Sequence, residues 1–530
     1  MKTTAKRFCK TLLPLFLAVT MVAGLLVGCA GKKDYTKGGG VNGDYFAPAE
    51  EAGAELYSKA DPDKDNAEEP SDAFVENPFI DTARQNVSTF SADVDTASYA
   101  LFRKTVTGWV RQKANKQTIL SALEKNATFF RTEEFLNYFR YEANAPKDGE
   151  LFGTTAGILP CPWNPKNQLL RLTLQAPATT PTGGNNLVFL IDVSGSMSTE
   201  DKLPLLKTAF TYLVNQLTER DVVSIVTYSG KEEVVLQGCA GNERQKILDA
   251  VNGLTAHGAT NGEAGMKKAY ELAADYRIEG GNNRIIMASD GDLNVGIRSG
   301  DELKAFIEGK RDEGTFLSIL GFGSGNYRDS TMETLAHNGN GVYYYIDGES
   351  EAQKVFGTDL ISTLYTVAKD VKMQLTFDPT YVASYRQIGY ENRQLNREDF
   401  TDDTKDAGEV GAGHQVTVFY ELVMTENGQK TDLAADTTFM TLAVRYKAPD
   451  GDVSKEDTYS IGVSDRTVPD SDTKFMFCVL ELTMLLHNSK YLPADKSVTY
   501  ATVLAKLRGL DLDRHSDRAE FRSLVEAFAA

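Results

Sequence analysis

Oxygen-bearing side chains are concentrated in three short segments of the 530-residue sequence, and two of these segments directly follow apolar runs. The sequence DVSGS follows LVFLI, the sequence SDGD follows IIMA, and the segment GATN precedes a helical pattern. Loops at the carboxyl ends of parallel strands meet at one edge of a sheet, where such folds bind ligands. The candidate site residues in these segments are Asp192, Ser194, Ser196, Thr260 and Asp290.

These carboxylates and hydroxyls, without thiolate or imidazole, are suited to a hard divalent cation. All-oxygen ligation selects Mg²⁺, Mn²⁺ or Ca²⁺ over zinc or copper. Ser194 and Ser196 flank Gly195, and a glycine permits the tight turn that lets both hydroxyls face one point. Two carboxylates roughly neutralise one divalent ion. The five candidate side chains leave at least one of the six positions of an octahedral ion open. We therefore expect one Mg²⁺ (or Ca²⁺ or Mn²⁺) that binds an Asp or Glu of a protein partner.

The segments that must position these loops alternate between short apolar runs and helical periodicity. Strands that are apolar on both faces are typical of a parallel sheet covered by helices. The apolar stripe of 203–217 predicts a helix packed on that sheet, and the run at 233–236 predicts an antiparallel edge strand. The other predicted strands are 187–191, 222–228, 285–288, 315–320 and 342–346. We predict an α/β fold with a doubly wound, mostly parallel, Rossmann-like sheet.

The regions on both sides of this sheet are β-rich, and neither is large enough to stand alone. We predict that they pair into one companion domain with C-terminal helices, into which the α/β domain is inserted. The segment 474–487 carries Glu481 and is too short to span a membrane, which predicts a core helix. Strand patterns occur at 168–174, 371–377, 414–424, 437–446 and 457–463, and helical patterns at 97–110, 130–141 and 500–528.

The three oxygen-rich loops resemble the metal-ion-dependent adhesion site of von Willebrand factor type A (vWA) domains. In that family the first Asp, the two Ser, the Thr of the second loop and the Asp of the third loop bind the ion. The resemblance implies the same role for Asp192, Ser194, Ser196, Thr260 and Asp290. We interpret Asp292 and Asn294 as loop residues that do not bind the ion directly.

Motifs outside the loops resemble bacterial YfbK-type lipoproteins, over residues 79–530. This family combines an N-terminal flanking region, a vWA domain and a characteristic C-terminal region. The motifs are FSADVDTASYALFRK at 90–104, EEFLNYF at 133–139, CPWNP at 161–165, and IGYENRQL with EDFTDDTKDAGEVGAGH within 388–414.

The N-terminus has the layout of a secretory signal, with four basic residues in 1–10 and an apolar stretch at 11–28. It ends in LVGC, which resembles the bacterial lipobox and predicts lipidation of Cys29. Two acyl chains on that cysteine would give stable anchoring. The alternative is an uncleaved signal anchor, since 18 apolar residues could just span a bilayer. Either reading places the protein outside the cytoplasmic membrane, on its outer face or on an outer membrane where one exists.

The predicted domain organisation follows from these patterns. Residues 30–78 hold twelve acidic and five basic residues and no long apolar run, which is typical of a disordered linker. An imitation of a calcium loop at 61–72 lacks the turn glycine, so a solvated acidic run is the better interpretation. The segments are a lipoprotein signal peptide at 1–28, an acidic tether at 29–78, an N-terminal flanking region at 79–184, a vWA domain at 185–350 and a YfbK-type C-terminal domain at 351–530.

Composition excludes some classes of partner. Lys and Arg number 56 against 74 Asp and Glu, a net charge of −18, which argues against nucleic-acid binding. Cys161, Cys239 and Cys478 would remain unlipidated, and we expect them to be buried and unpaired.

The predicted function is adhesion or scaffolding by a membrane-anchored, cation-dependent protein-binding module, and not catalysis. The alternative is a structural envelope lipoprotein in which the metal only stabilises the sheet. A metal-dependent phosphoester hydrolase is least favoured, because Ser194 occupies the position where a phosphatase needs a second Asp. Neither Ser194 nor Ser324 fits the Gly-x-Ser-x-Gly pattern of serine hydrolases.

Three weaker signals have ordinary structural interpretations. Asp93 and Asp95 are expected in a surface turn, and Asp511 and Asp513 before His515 at the start of a helix. His257, beside the Thr260 loop, is expected at the rim of the site and not as a ligand.

Overall fold

A computed structural model describes most of the chain from residue 74 onward. The described residues are 74–92, 95–178, 183–258, 262–291, 300–323, 329–359, 362, 364–405, 407–449, 451 and 453–529. The predicted signal peptide, Cys29, the calcium-like segment 61–72, Asp93, Thr260, Asp292 and Asn294 lie outside them.

The N-terminal flank contributes four strands and three helices. They are β1 (Ile80–Asp81), β2 (Val87–Ser91), α1 (Ala97–Arg111), α2 (Lys116–Lys125), α3 (Thr132–Tyr138), β3 (Gly153–Pro160) and β4 (Gln168–Gln175).

The central region alternates strands and helices. Its elements are β5 (Asn185–Asp192), α4 (Leu203–Gln216), β6 (Val222–Tyr228), β7 (Glu232–Ala240), α5 (Arg244–Asn252), α6 (Glu263–Asp275), β8 (Asn282–Ser289), α7 (Gly300–Asp312), β9 (Phe316–Phe322), α8 (Asp329–Asn338), β10 (Tyr343–Ile346) and α9 (Glu349–Gln353), followed by a π-helical turn, Lys354–Thr358.

The C-terminal flank contributes seven strands and then three helices. They are β11 (Thr366–Phe377), β12 (Val382–Ile388), β13 (Gln394–Leu395), β14 (Gly408–Gly411), β15 (Gln415–Met424), β16 (Thr438–Lys447), β17 (Ser454–Gly462), α10 (Ser471–Leu486), α11 (Tyr500–Arg508) and α12 (Ser516–Ala529).

The central sheet has the strand order β10-β9-β8-β5-β6-β7, in which only β7 runs antiparallel to its neighbour. Because side chains alternate across a strand, Phe189 of β5 packs with Phe210 of α4, while Leu190 packs on the other face with Met266 of α6. The predicted doubly wound, mostly parallel sheet and its antiparallel edge strand are confirmed.

Both flanks combine into the β-rich companion domain, as predicted. One sheet has the order β1-β12-β15-β4-β3 and the other the order β13-β2-β11-β16-β17, with β14 paired to β11. The strands β2 and β4 of the N-terminal flank lie beside β11 and β15 of the C-terminal flank. The central domain is therefore inserted between two flanking segments whose strands pair with each other in the same sheets. Its predicted limits at residues 185 and 350 stay a prediction, and α9 and the turn after it contact α4.

The helices of the two flanks share a second apolar core. Tyr99 of α1, Phe135 of α3, Phe475 of α10 and Phe521 of α12 are all fully buried within it. The helical pattern at 500–528 is interrupted between α11 and α12, because α11 ends at Arg508 with Gly509 as its C-cap. The pattern at 130–141 shortens to the seven residues of α3.

No helix in the described residues is long and apolar enough to cross a membrane. The helix α10 spans 16 residues and buries Glu481 completely, where Lys506 Nζ approaches its carboxylate to 2.5 Å. It is therefore a core helix, as predicted. The three cysteines Cys161, Cys239 and Cys478 are free and buried, which confirms that prediction.

Candidate metal-binding site

The first loop of the site leaves the end of β5 and turns back at once. Asp192 is the last residue of β5 and is fully buried, and its Oδ1 accepts a hydrogen bond of 2.7 Å from the backbone N–H of Ser194. The N–H of Gly195 donates to the carbonyl of Gly258 at 3.1 Å, which joins the first loop to the second. The apolar strand thus ends in a loop whose direction is set by backbone hydrogen bonds.

The two serine hydroxyls of this loop meet. Their Oγ atoms lie 2.9 Å apart, with Ser194 buried and Ser196 exposed. The spacing of the two serines therefore has the effect that the sequence predicted. It also gives the site a buried side, formed by Asp192 and Ser194, and an open side at Ser196.

The third loop leaves β8, which lies next to β5 in the sheet. Asp290 is 1% exposed. Burial raises the pKa of Tyr228 well above its usual value, and the nearby charges of Asp192 and Asp290 raise it further. Because β5 and β8 are neighbouring parallel strands, Asp192 at the end of β5 and Asp290 directly after β8 lie at the same edge of the sheet.

A lysine that the sequence analysis did not consider joins the first and third loops. The ammonium Nζ of Lys202 donates to Asp290 Oδ2 at 2.8 Å and to the backbone carbonyl of Ser196 at 2.9 Å. Lys202 directly precedes α4 and is 9% exposed. Lys202 has no oxygen atom in its side chain, so the criterion of oxygen ligands did not select it. The feature of the sequence that could have indicated its role is its position directly before α4, six residues after Ser196.

Four of the five predicted ligands are thus linked by a chain of short contacts at one edge of the sheet. Asp192 contacts Ser194, Ser194 contacts Ser196, and Lys202 connects Ser196 to Asp290. Thr260 lies outside the described residues. Within the described chain no group of three or more His, Cys, Asp or Glu could hold a metal. The donor set consists of hard oxygen atoms and fits Mg²⁺ or Ca²⁺ in its chemistry.

The imidazole of His257 lies beside this edge and is bonded to the backbone. The ring Nδ1 is 2.8 Å from the carbonyl of Thr255, and the backbone N–H of His257 donates to the carbonyl of Val193 at 2.6 Å. The residue is exposed. These contacts make it a rim residue that braces the first loop, while its part in ion binding stays a prediction.

Helix α1 of the companion domain reaches the loop that carries Lys202. The ammonium of Lys104 lies 3.1 Å from Asp201 Oδ2, and Asp201 Oδ1 accepts a hydrogen bond of 2.7 Å from Thr199. The site therefore has a companion-domain contact one residue away from Lys202.

Arg103, the neighbour of Lys104 on α1, is a buried ion-pair centre between the two domains. Its Nε and Nη2 donate to the two oxygens of Asp347, at 2.7 and 2.5 Å, and Nη2 also donates to Glu351 at 2.6 Å. Its Nη1 donates to the hydroxyl of Tyr138 at 2.7 Å and to Glu520 at 3.2 Å. Arg103 is 4% exposed, and the side chains of Asp347 and Glu351 are 5% and 2% exposed, so these two acids have also lost water, whereas Glu520 is 34% exposed.

A second ion-pair group holds α8 of the central domain. Arg393 contacts Asp95 at 3.1 Å and Glu333 at 2.5 Å, and Arg131 contacts Glu333 at 3.1 Å and Glu134 at 2.8 Å. Asp95 therefore lies in an interdomain contact instead of a simple surface turn.

The acidic pair near the last helix has a local role. Asp513 lies 3.3 Å from Arg522 of α12, and the N–H of His515 donates to the carbonyl of Leu512. These contacts agree with the predicted helix-start cluster.

A small polar cavity lies between the central domain and the companion, and its histidine predicts a dependence of stability on pH. Its lining includes His414, Arg140, Lys354 and Asp359. Burial, reinforced by the positive charges of Arg140 and Lys354, lowers the pKa of His414 to about 3. An unfolded histidine takes up its proton near pH 6.5, so between these values the unfolded state binds more protons and acid favours unfolding.

We expect His414 alone to reduce the free energy of unfolding by about 2 kcal/mol when the pH falls from 7 to 5. Urea unfolding at the two pH values measures this. The His414→Gln variant should lose that share of the pH dependence, whereas His515→Gln, at an exposed position, should retain it. Equal pH dependence in both variants would contradict the assignment.

Comparison with known proteins relates most of the chain to proteins with a von Willebrand factor type A domain. The profile "Uncharacterized protein YfbK, C-terminal" matches residues 362–530, the profile "von Willebrand factor type A domain" matches 186–358, and the profile "von Willebrand factor" matches 65–171. The uncharacterized protein YfbK of Escherichia coli (strain K12) is 36% identical over 476 residues, which cover 86% of this chain and 80% of that protein.

Two further similarities concern parts of the chain. Inter-alpha-trypsin inhibitor heavy chain H3 of Mesocricetus auratus is 29% identical over 188 residues, 33% of this chain and 21% of that protein. This chain thus spans about a fifth of that relative. The solved structure of a von Willebrand factor type A protein from Catenulispora acidiphila has a TM-score of 0.38 and 16% identity, covering 65% of this chain and 81% of that one.

Proposed function

Because the chain belongs to the YfbK family of proteins with a vWA domain, we propose that it captures a protein partner through a divalent cation at the edge of its central sheet. The resemblance stated from the sequence motifs is confirmed at the level of the family. The observation that carries the proposal is the chain of contacts that gathers Asp192, Ser194, Ser196 and Asp290.

The residues of the site are proposed to have different roles in binding the ion. We propose that Asp192 and Asp290 supply the negative charge and that Ser194 and Ser196 supply neutral oxygens, with Thr260 as the fifth ligand. A bound Mg²⁺ or Ca²⁺ supplies a Lewis-acidic position for an incoming carboxylate. Asp192 and Ser194 are buried, and Ser196 is exposed, so the open side is the side from which a partner can approach.

The partner is proposed to present an Asp or Glu side chain. Hydroxyls donate electron density weakly, so an ion held by two carboxylates and hydroxyls remains attractive to a third carboxylate. The net charge of −18 makes long-range attraction of an acidic partner unfavourable. Capture therefore depends on the local field of the ion.

Anchoring outside the cytoplasmic membrane is the second part of the proposal, and it rests on the signal and on Cys29. The described chain begins with a short arm on the companion domain: Phe74 stacks on His487 at 3.8 Å, and Asn77 donates to the carbonyl of Gly389 at 2.9 Å. We propose that the 44 residues between Cys29 and Phe74 act as the tether predicted from the sequence; a flexible chain of that length has a reach of roughly 35–40 Å. Such a reach would lift the head domain clear of a lipid surface.

Two other functions are less well supported. A purely structural role for the metal would be to hold the first and third loops together. Lys202 already links these two loops, so such a role is less well supported. For catalysis, the hydroxyl of Ser194 would need an activating base. Its side-chain contact among the described residues is the hydroxyl of Ser196. We therefore propose a binding module and not an enzyme.

A pull-down with the full chain tests the proposal. Solubilised envelope extract is passed over the immobilised protein in Mg²⁺, in EDTA, and in EDTA followed by excess Mg²⁺. We expect a partner that is retained in Mg²⁺, released by EDTA and recaptured when Mg²⁺ returns. A partner that stays bound in EDTA would contradict capture through a metal.

A further inference from the structure

The ammonium of Lys202 stands inside the set of groups proposed to hold the metal. It is 2.8 Å from Asp290 Oδ2 and 2.9 Å from the carbonyl of Ser196, while Asp290 itself is 1% exposed. A buried carboxylate needs a positive partner, and here the chain supplies one of its own. Lys202 is thus in a position to compete with a metal ion for Asp290.

The stem of Lys202 is held in place along its length. It crosses Gly323, where a Cβ atom would lie 2.2 Å from Lys202 Cε and 2.9 Å from its Cγ. The hydroxyl of Tyr345 donates to the carbonyl of Gly323 and fixes this backbone. At the other end, the carbonyl of Lys202 accepts from Leu206 in the first turn of α4. The ammonium is therefore a built part of the site.

Three described side chains of the site carry its opposed charges. Asp192 and Asp290 contribute −2 and Lys202 contributes +1, so these three side chains together carry −1. A divalent ion brings the total to +1, whereas the same site without the lysine would be neutral when loaded. The charge count changes both the affinity for the ion and the demand for a further anion.

We propose that Lys202 is a fixed charge of the metal site that weakens ion binding by competing for Asp290 and makes the loaded site require an anionic partner. This inference rests on the proposed function and deepens it, because it says why a carboxylate is preferred over a neutral oxygen. Without an ion the lysine keeps Asp290 neutralised and the first and third loops joined. With an ion its charge adds to the attraction for the partner.

Titration of the full chain with Mg²⁺ alone, followed by calorimetry, tests the inference. We expect Lys202→Met to bind Mg²⁺ about tenfold more tightly than the wild type, because one unit of positive charge has left the ion's surroundings. Acetate is the probe for the partner's carboxylate. It should tighten Mg²⁺ binding of the wild type and have a smaller effect on Lys202→Met. Lys231→Met, which removes an exposed charge from the turn between β6 and β7, should behave as the wild type.

If Lys202 only held the two loops together, the change in Mg²⁺ affinity would have the opposite sign. Lys202→Met would then bind Mg²⁺ more weakly than the wild type, and this would overturn the inference. Since the variant leaves Asp290 without its ammonium, its melting temperature is also measured in EDTA and in Mg²⁺. We expect Mg²⁺ to raise the Tm of Lys202→Met more than that of the wild type, and an equal or smaller rise counts against the inference. If the wild type itself binds neither Mg²⁺ nor Ca²⁺, the proposed function fails instead.

Discussion

The Asp192→Ala variant is expected to lose its affinity for Mg²⁺ by more than about 100-fold while it remains folded. Groups that only orient a metal ligand contribute about 10–100-fold in affinity, and Asp192 is proposed as a charged ligand itself. The fold keeps its other supports, since the Gly195–Gly258 backbone bond and the Lys202 bridge do not involve this carboxylate. Loss of the hydrogen bond from the Ser194 N–H costs about 1 kcal/mol, which corresponds to a fall in Tm of a few degrees.

Glu200→Ala is the matched control for this variant. It removes an acid from the same loop, at an exposed position outside the donor set, and should leave both Mg²⁺ affinity and Tm unchanged. Calorimetry with Mg²⁺ and a thermal melt in EDTA give the two readouts. An Asp192→Ala protein that unfolds would favour a stabilising role for the metal. An unchanged Mg²⁺ affinity would remove Asp192 from the site.

The Arg103→Met variant is expected to lose about 3–5 kcal/mol of stability, because it leaves buried acids without their counter-charge. Asp347 and Glu351 are both nearly inaccessible to solvent, and both bond to the guanidinium of Arg103. The variant therefore weakens the contact between α1 and the end of the central domain. Methionine fills much of the space of the arginine stem, which keeps the effect electrostatic. The midpoint of urea unfolding measures it.

Arg111→Met on the same helix is the control, because Arg111 is exposed and should change stability by less than about 0.5 kcal/mol. A double variant separates charge from packing. Adding Asp347→Asn to Arg103→Met should recover part of the loss, since one buried charge is removed with its partner. A loss below about 1 kcal/mol for Arg103→Met would show that water reaches these acids.

The central sheet was readable from the sequence because its strands are covered on both faces and therefore appear as continuous apolar runs. The predicted strand 187–191 is extended in the structure to Asn185–Asp192. Asn185 and Asn186 escaped prediction since they are polar but buried, with side chains bonded to Asp221 and to the carbonyl of Ala273. Polar residues that find partners within the fold give no apolar signal.

The candidate site was predictable as far as it consists of loops that follow apolar strands. The contacts between the site and the rest of the molecule could not be predicted, because they join residues that are far apart in the sequence. Arg103 and Asp347 are separated by 244 positions, and Lys202 and Asp290 by 88. Charge alone does not tell which of many lysines and arginines will be buried. Pairing of the flanks could be inferred in general, but the strand order could not.

The insertion of the central domain determines how a mechanical load would travel through the molecule. Its chain enters from β4 and leaves toward β11, which lie in different sheets of the companion domain. A pull on the loop after β5 is directed along that strand, which is paired in parallel with both β6 and β8. Rupture would require sliding two ladders of hydrogen bonds at once instead of opening them one by one.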